Sequence, residues 1–154
     1  MRYQCRPDCG SSVCVNCGGS PTSVAQFIAP SVTYSGTELL TLEIDFVDGS
    51  AIIPNTDSET ITLRSGCVFE VFYHINAVTP AGATVTVTPV VDGVSQSIFS
   101  SSATTGTSTE TLTLNGSFLL ATSNLTNLTF SVFTDSASGI SVTGNIYIIQ
   151  QRAR

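Results

Sequence analysis

Apolar and polar side chains alternate with a period of two through most of this sequence, a pattern that favours strands and argues against amphipathic helices. Leu40, Leu42, Ile44 and Phe46 alternate with Thr41, Glu43 and Asp45, and Asp48-Gly49 follows as a turn. Thr60-Ile61-Thr62-Leu63 is a short strand that stops at Arg64-Ser65-Gly66. Phe69, Val71, Tyr73 and Ile75 share one face of the next. Val85 and Val87 alternate with Thr84, Thr86 and Thr88, and Asp92-Gly93 is a hairpin signal. Further strands are expected at Ser95–Ser100, Thr109–Ala121, Leu128–Thr134 and Ile140–Gln150. No window offers a 3.6-residue stripe. About eight to ten antiparallel strands at this spacing predict a single all-β sandwich or barrel.

Two of these strands are apolar on both faces. Val68 and Phe72 oppose Phe69, Val71 and Tyr73, while Ile146 and Ile148 oppose Tyr147 and Ile149. A solvated antiparallel sheet shows one polar face, so a second apolar face implies a cover. In a chain of 154 residues the readiest cover is another copy of the chain.

The composition changes near residue 20. Residues 1–20 hold Cys5, Cys9, Cys14 and Cys17 with almost no large apolar side chain, so on its own this arm cannot offset its ordering entropy. Residues 21–37 are expected to be a linker leading into a short first strand, and residues 38–154 the folded domain. Only 10 % of the chain is charged, against roughly 25 % in ordinary soluble domains, and the net charge is −6. With five Arg and no Lys, four of those Arg at the termini, nothing is available to neutralise phosphates, and no nucleic-acid partner is expected. No apolar run of about 18 residues occurs, so no membrane span is expected. Met1-Arg2-Tyr3-Gln4-Cys5 lacks the apolar core of a secretory leader, and synthesis without a signal peptide is expected.

Residues 59–77 resemble the short strand, glycine and aromatic-rich strand of complement-head and tumour-necrosis-factor-like jelly rolls. The resemblance continues through the Ala83–Gly93 strand and turn. It closes with Gly116-Ser117-Phe118-Leu119-Leu120, Leu128–Thr134 and Gly144-Asn145-Ile146-Tyr147-Ile148-Ile149. It covers roughly residues 38–150. The Thr/Ser-rich, Lys-free style is most similar to the bacterial branch on endospore surfaces, in exosporium glycoproteins and appendage fibres. That resemblance implies a ten-stranded jelly roll assembling as a trimer, with the aromatic strand and the last strand near the threefold axis. Val68, Phe72, His74, Ile146 and Ile148 are the expected interface residues. No Gly-X-Y stalk precedes the domain. The Cys-bearing arm instead resembles, in architecture only, the connectors of endospore appendage subunits.

The four arm cysteines admit three readings. Zinc wants two short Cys pairs separated by a longer loop, and only Cys14-x2-Cys17 is a close pair. A redox pair there wants a helix N-terminus, and no helix follows. Structural disulfides, at least some between chains, are favoured, with Cys67 either a candidate acceptor on a neighbour or, equally, a buried thiol. Cys67 and His74 are the isolated Cys and the lone His, yet their odd separation of seven residues puts them on opposite faces, roughly 23 Å apart, so they form no dyad. Glu43, Asp45, Asp48 and Asp57 are a weaker calcium possibility. The sequons at Asn115, Asn124 and Asn127 are read as incidental to a Thr-rich chain. No catalytic residue, cofactor or resident metal is expected. The expected function is structural: trimers joined by disulfide-linked arms into a fibre or coat at the spore surface, partnering itself and other spore-surface proteins. The rival is a trimeric binding module for a carbohydrate or receptor, disfavoured by the lack of Trp and the scarcity of free Tyr platforms.

Overall fold

A computed structural model of the chain describes residues 23–151. The arm cysteines Cys5, Cys9, Cys14 and Cys17 lie outside the described residues. Twelve strands follow one another: β1 (Ser23–Tyr34), β2 (Gly36–Leu39), β3 (Glu43–Gly49), β4 (Ile52–Pro54), β5 (Ile61–Leu63) and β6 (Cys67–Thr79), then β7 (Thr84–Val91), β8 (Val94–Ser95), β9 (Ser101–Thr104), β10 (Glu110–Thr122), β11 (Thr126–Thr134) and β12 (Ile140–Gln151). They form two antiparallel sheets. One has the order β10-β6-β12-β1-β3; the other runs β4-β5-β11-β7-β8, with β2 paired to β11 and β9 to β7. The chain is a jelly-roll sandwich, all β as the alternation predicts.

The inner faces of the two sheets make one core. Phe27, Phe69, Ile75, Leu114, Ile140 and Ile146 enter it from the first sheet, and Ile61, Leu63, Leu128 and Phe130 from the second, all almost fully buried. Tyr73 stands at the centre, its ring 5.7 Å from that of Phe130. Its hydroxyl donates to Phe99 O at 2.6 Å, and burial pushes the phenol's pKa up. Gly116 lies opposite, where a Cβ would stand 2.7 Å from the Tyr73 ring. Gly144 is tighter still, since an added Cβ would meet the His74 carbonyl at 2.2 Å.

Four sequence expectations change. Residues 21–37, expected as a linker with a short strand, supply the twelve-residue β1, hydrogen-bonded between β12 and β3. It tolerates Pro30 because the register shifts between Ala29 and Val32, where a missing N–H disturbs no ladder bond. The single alternation from Leu40 to Phe46 is broken. Leu40 and Leu42 are buried where the chain crosses from one sheet to the other, whereas Ile44 and Phe46 are 57 % and 40 % exposed on β3. The register of β3 on β1 shifts between Gln26 and Phe27, with Asp45 the extra residue. Ser95–Ser100 is not one strand, because a turn of 3-10 helix at Ser97–Phe99 separates β8 from β9. Finally, the short strands β2, β4 and β8 raise the number above the expected eight to ten. By contrast, Asp92 and Gly93 both have positive φ in a two-residue hairpin, as their pairing in sequence predicts.

The close strand contact at Gly144 gives a direct test of this packing. Gly144→Ala is expected to lower stability by about 1–3 kcal/mol or more, because backbone must move to admit the methyl. Equilibrium urea unfolding of the variant against the parent measures it, and an unchanged midpoint would contradict the contact.

Candidate functional site

The outer face of the five-stranded sheet is where the sequence placed an interface, and strand registry fixes what it carries. Along β6, Cys67, Phe69, Val71, Tyr73, Ile75 and Ala77 are buried, so Val68, Glu70, Phe72, His74, Asn76 and Val78 point outward. Antiparallel pairing carries that parity to the neighbours. Tyr147 lies opposite Phe72, and Gln26 opposite both Tyr147 and Phe46, giving a row Phe46–Gln26–Tyr147–Phe72–Ser117. The Tyr147 ring is 6.5 Å from Phe46, edge to face, and 6.4 Å from Phe72. Such contacts are worth about 0.5–1.5 kcal/mol beyond simple burial.

Apolar side chains extend the cluster. On one side the row runs Asp48–Val24–Ile149–Glu70–Leu119, with Leu119 64 % exposed. Val68 lies beyond it, 40 % exposed. Glu70 accepts a hydrogen bond from the Gln151 amide, which keeps its carboxylate on the rim of the cluster. On the other side the row reads Glu43–Ile28–Asn145–His74–Asn115. The five strands of this sheet contain neither Lys nor Arg.

The outer face of the second sheet is chemically different. Thr84, Thr86 and Thr88 of β7 stand beside Ser102 and Thr104 of β9, and their hydroxyls pair at 2.8 Å in Thr84–Thr104 and Thr86–Ser102. Its apolar members Leu39, Val90 and Phe133 interleave with the hydroxyls of Thr37, Ser131 and Thr129. Hydroxyls suit a face left in water; a contiguous aromatic cluster does not.

The expected interface residues separate cleanly. Val68, Phe72 and His74 are on the outer face. Ile146 and Ile148 are not: both are wholly buried between the sheets, because pairing with β6 puts Tyr147 and Ile149 outward instead. Tyr147, Ile149, Val24 and Phe46 are the members that the sequence pattern did not reveal. The signal lay in parity, since an outward Phe72 requires an outward partner on the next strand.

Of the two readings of Cys67 the structure favours the buried thiol over the docking acceptor. It sits in the core cluster, its Sγ 3.3 Å from the Gln150 amide, so a thiol of a neighbouring subunit cannot approach it from solvent. Desolvation pushes its pKa up, which further lowers its reactivity. Cys67 and His74 do face opposite ways, one buried and the other exposed. The acids do not gather: among the described residues no three metal-binding side chains come together. Asp57 instead closes its own turn, accepting from Thr60 Oγ1, Glu59 N and Thr60 N, and these bonds, the Thr60 hydroxyl foremost, hold its carboxyl below the usual carboxylate range.

No protein-family model matches the sequence, and no curated protein matches it. Solved structures match the fold. The globular domain of zebrafish complement 1qA aligns with a TM-score of 0.63 at 9 % identity, over 83 % of this chain and 94 % of that one. Murine APRIL at pH 5.0 gives 0.61 at 8 % identity, over 80 % and 97 %. The Eiger TNF of S. frugiperda gives 0.56 at 11 % identity, over 87 % and 96 %. The chain therefore has the fold of tumour-necrosis-factor and complement 1q heads.

Two measurements check this geometry. Cys67 is expected to stay unmodified by a thiol reagent at pH 8 in the native protein and to react fully in denaturant, with peptide mass mapping separating it from the arm cysteines. Prompt native labelling would contradict its burial. Asp57, lowered in the folded state, stabilises above its unfolded pKa and loses that effect as pH falls through the folded value. Asp57→Asn is therefore expected to lower the melting temperature at pH 7 and to leave it unchanged near pH 2.

Proposed function

We propose that this chain is a structural subunit that associates with itself as a homotrimer through the outer face of its five-stranded sheet. In this reading Cys5, Cys9, Cys14 and Cys17 join one trimer to the next in a fibre or coat at a bacterial spore surface, where other surface proteins are further partners. One observation carries the self-association: the Phe46–Tyr147–Phe72 cluster, with Val24, Ile149, Val68 and Leu119 around it, on a sheet face that no element of the described chain covers. A stable interface needs roughly 1,200 Å² or more in total, and a five-stranded face can supply that to two neighbours. The similarity to complement 1q and tumour-necrosis-factor heads favours the same reading, because the resemblance implies a trimer with β6 and β12 near its axis. The arm supports the linkage. A glycine-containing, apolar-poor segment gains little by docking, whereas a covalent bond between subunits does not dissociate without reduction.

Light scattering on the full chain under reduction tests the trimer. A mass three times the 16.1 kDa of the chain is expected at micromolar concentration. Phe72→Asp and Tyr147→Asp are expected to give soluble, folded monomers, since each places a carboxylate in the buried centre of the contact. Ile148→Asp is expected to unfold the subunit instead. A monomeric parent, or trimeric Phe72→Asp and Tyr147→Asp variants, would overturn this interface. Denaturing gels test the linkage: multimers without reductant should collapse to one band with it. Antibody labelling of intact spores tests the location.

A further inference from the structure

We infer that the row Asn115–His74–Asn145 is an acid-sensitive latch in the self-association face, so that assembly holds near neutral pH and loosens in acid. This rests on the homotrimer reading given above. His74 is exposed on β6, the strand between β10 and β12, and Asn115 and Asn145 are its direct neighbours in the two ladders. The row lies immediately beside the aromatic row, because Phe72 and Tyr147 precede and follow His74 and Asn145 by two residues. A contact that buries Phe72 and Tyr147 therefore encloses His74 as well.

The charges around His74 decide the sign. On β10 its outward neighbours are Thr113, Asn115 and Ser117, and on β12 they are Thr143, Asn145 and Tyr147, none of them acidic. On β6 the nearest acid is Glu70, four residues away and already bonded to Gln151. Ile28 of β1 is neutral, and Glu43 of β3 stands three strands off in the same row, roughly 14 Å away at about 4.8 Å per strand. No carboxylate of the same subunit is placed to hold an imidazolium. Enclosure in a low-dielectric contact disfavours the charged form, and copies from symmetry-related subunits repel one another. The assembled state then binds fewer protons than the separated one, so its stability falls as pH drops through the range where histidine charges, about pH 8 to 5. The neutral imidazole, by contrast, is a donor and an acceptor that an Asn side chain can satisfy on either nitrogen.

Sedimentation equilibrium of the full chain under reduction, at pH 8.0, 6.5 and 5.0, tests the latch. The concentration at half-dissociation is expected to rise at least about tenfold between pH 8.0 and 5.0, since uptake of one proton per subunit raises the trimer's dissociation constant about a thousandfold per pH unit, which is about thirtyfold in concentration. His74→Asn is expected to keep the trimer and to lose that dependence. His74→Arg is expected to be dissociated at every pH, with unchanged circular dichroism showing an intact fold. A trimer that is equally stable at all three values, or one tightened by acid because a neighbour's Glu43 or Glu70 meets His74, would overturn the latch while leaving the trimer standing. A monomer at pH 8.0 would overturn the trimer reading itself.

Discussion

A strand hydrogen-bonded on both edges has only its two faces left to distinguish inside from outside, and β6 imposes that choice on its whole sheet. Its thirteen residues pair with β10 along one edge and β12 along the other. Phe69, Val71, Tyr73 and Ile75 are buried to within 2 % of full enclosure, so Val68, Phe72 and His74 have no alternative but the opposite side. A slip by one residue would expose Tyr73, strip its hydroxyl from Phe99 O, and drive His74 into the core unpaired. Gly116 and Gly144 narrow the flanking strands where they approach β6, which makes that slip harder still.

The alternating pattern made the long strands legible to within about two residues, because β6 and β11 keep one parity buried throughout and β7, β10 and β12 keep one parity turned inward. What it hid was decided by partners distant in sequence. β1 has Pro and Ser among its apolar residues and looks like a linker until its two ladders are seen. The sequence around Leu40–Phe46 reads as one strand, although the chain changes sheets within it. The face proposed for self-association was half legible. At β6 the aromatic content marked Phe72, but β12 is apolar on both parities, so Ile146 and Tyr147 were equal candidates until the Phe72–Tyr147 registry separated them. Cys67 stayed open between an available thiol and a buried one because nothing local marks it as part of the core.

The two outer faces show how little sequence separates a hydroxyl-lined sheet face from an aromatic one. β7 exposes Thr84, Thr86 and Thr88, and the hydroxyls of Thr84 and Thr86 pair with those of β9, so each satisfies part of its own hydrogen bonding without a partner subunit. β6 exposes Val68, Phe72 and Val78 at comparable spacing. Both sets are β-branched or aromatic and both favour extended backbone, so strand propensity is served equally. The difference lies in desolvation, which is the reason the proposed association uses the aromatic face rather than the hydroxyl one.

An apolar face by itself would fix neither the angle nor the register of a partner, because hydrophobic attraction is non-directional. The polar rows supply direction. Asn115, His74 and Asn145 lie beside the aromatic row, and Glu70 with Gln151 lies on its other side. In the proposed assembly a partner that slides along the face would leave Asn115, His74 and Asn145 enclosed without hydrogen bonds, at about 1–3 kcal/mol for each neutral group so orphaned. The aromatic row of the proposed assembly therefore sets how strongly copies of this sheet attract, and the polar rows beside it restrict which arrangement they can hold.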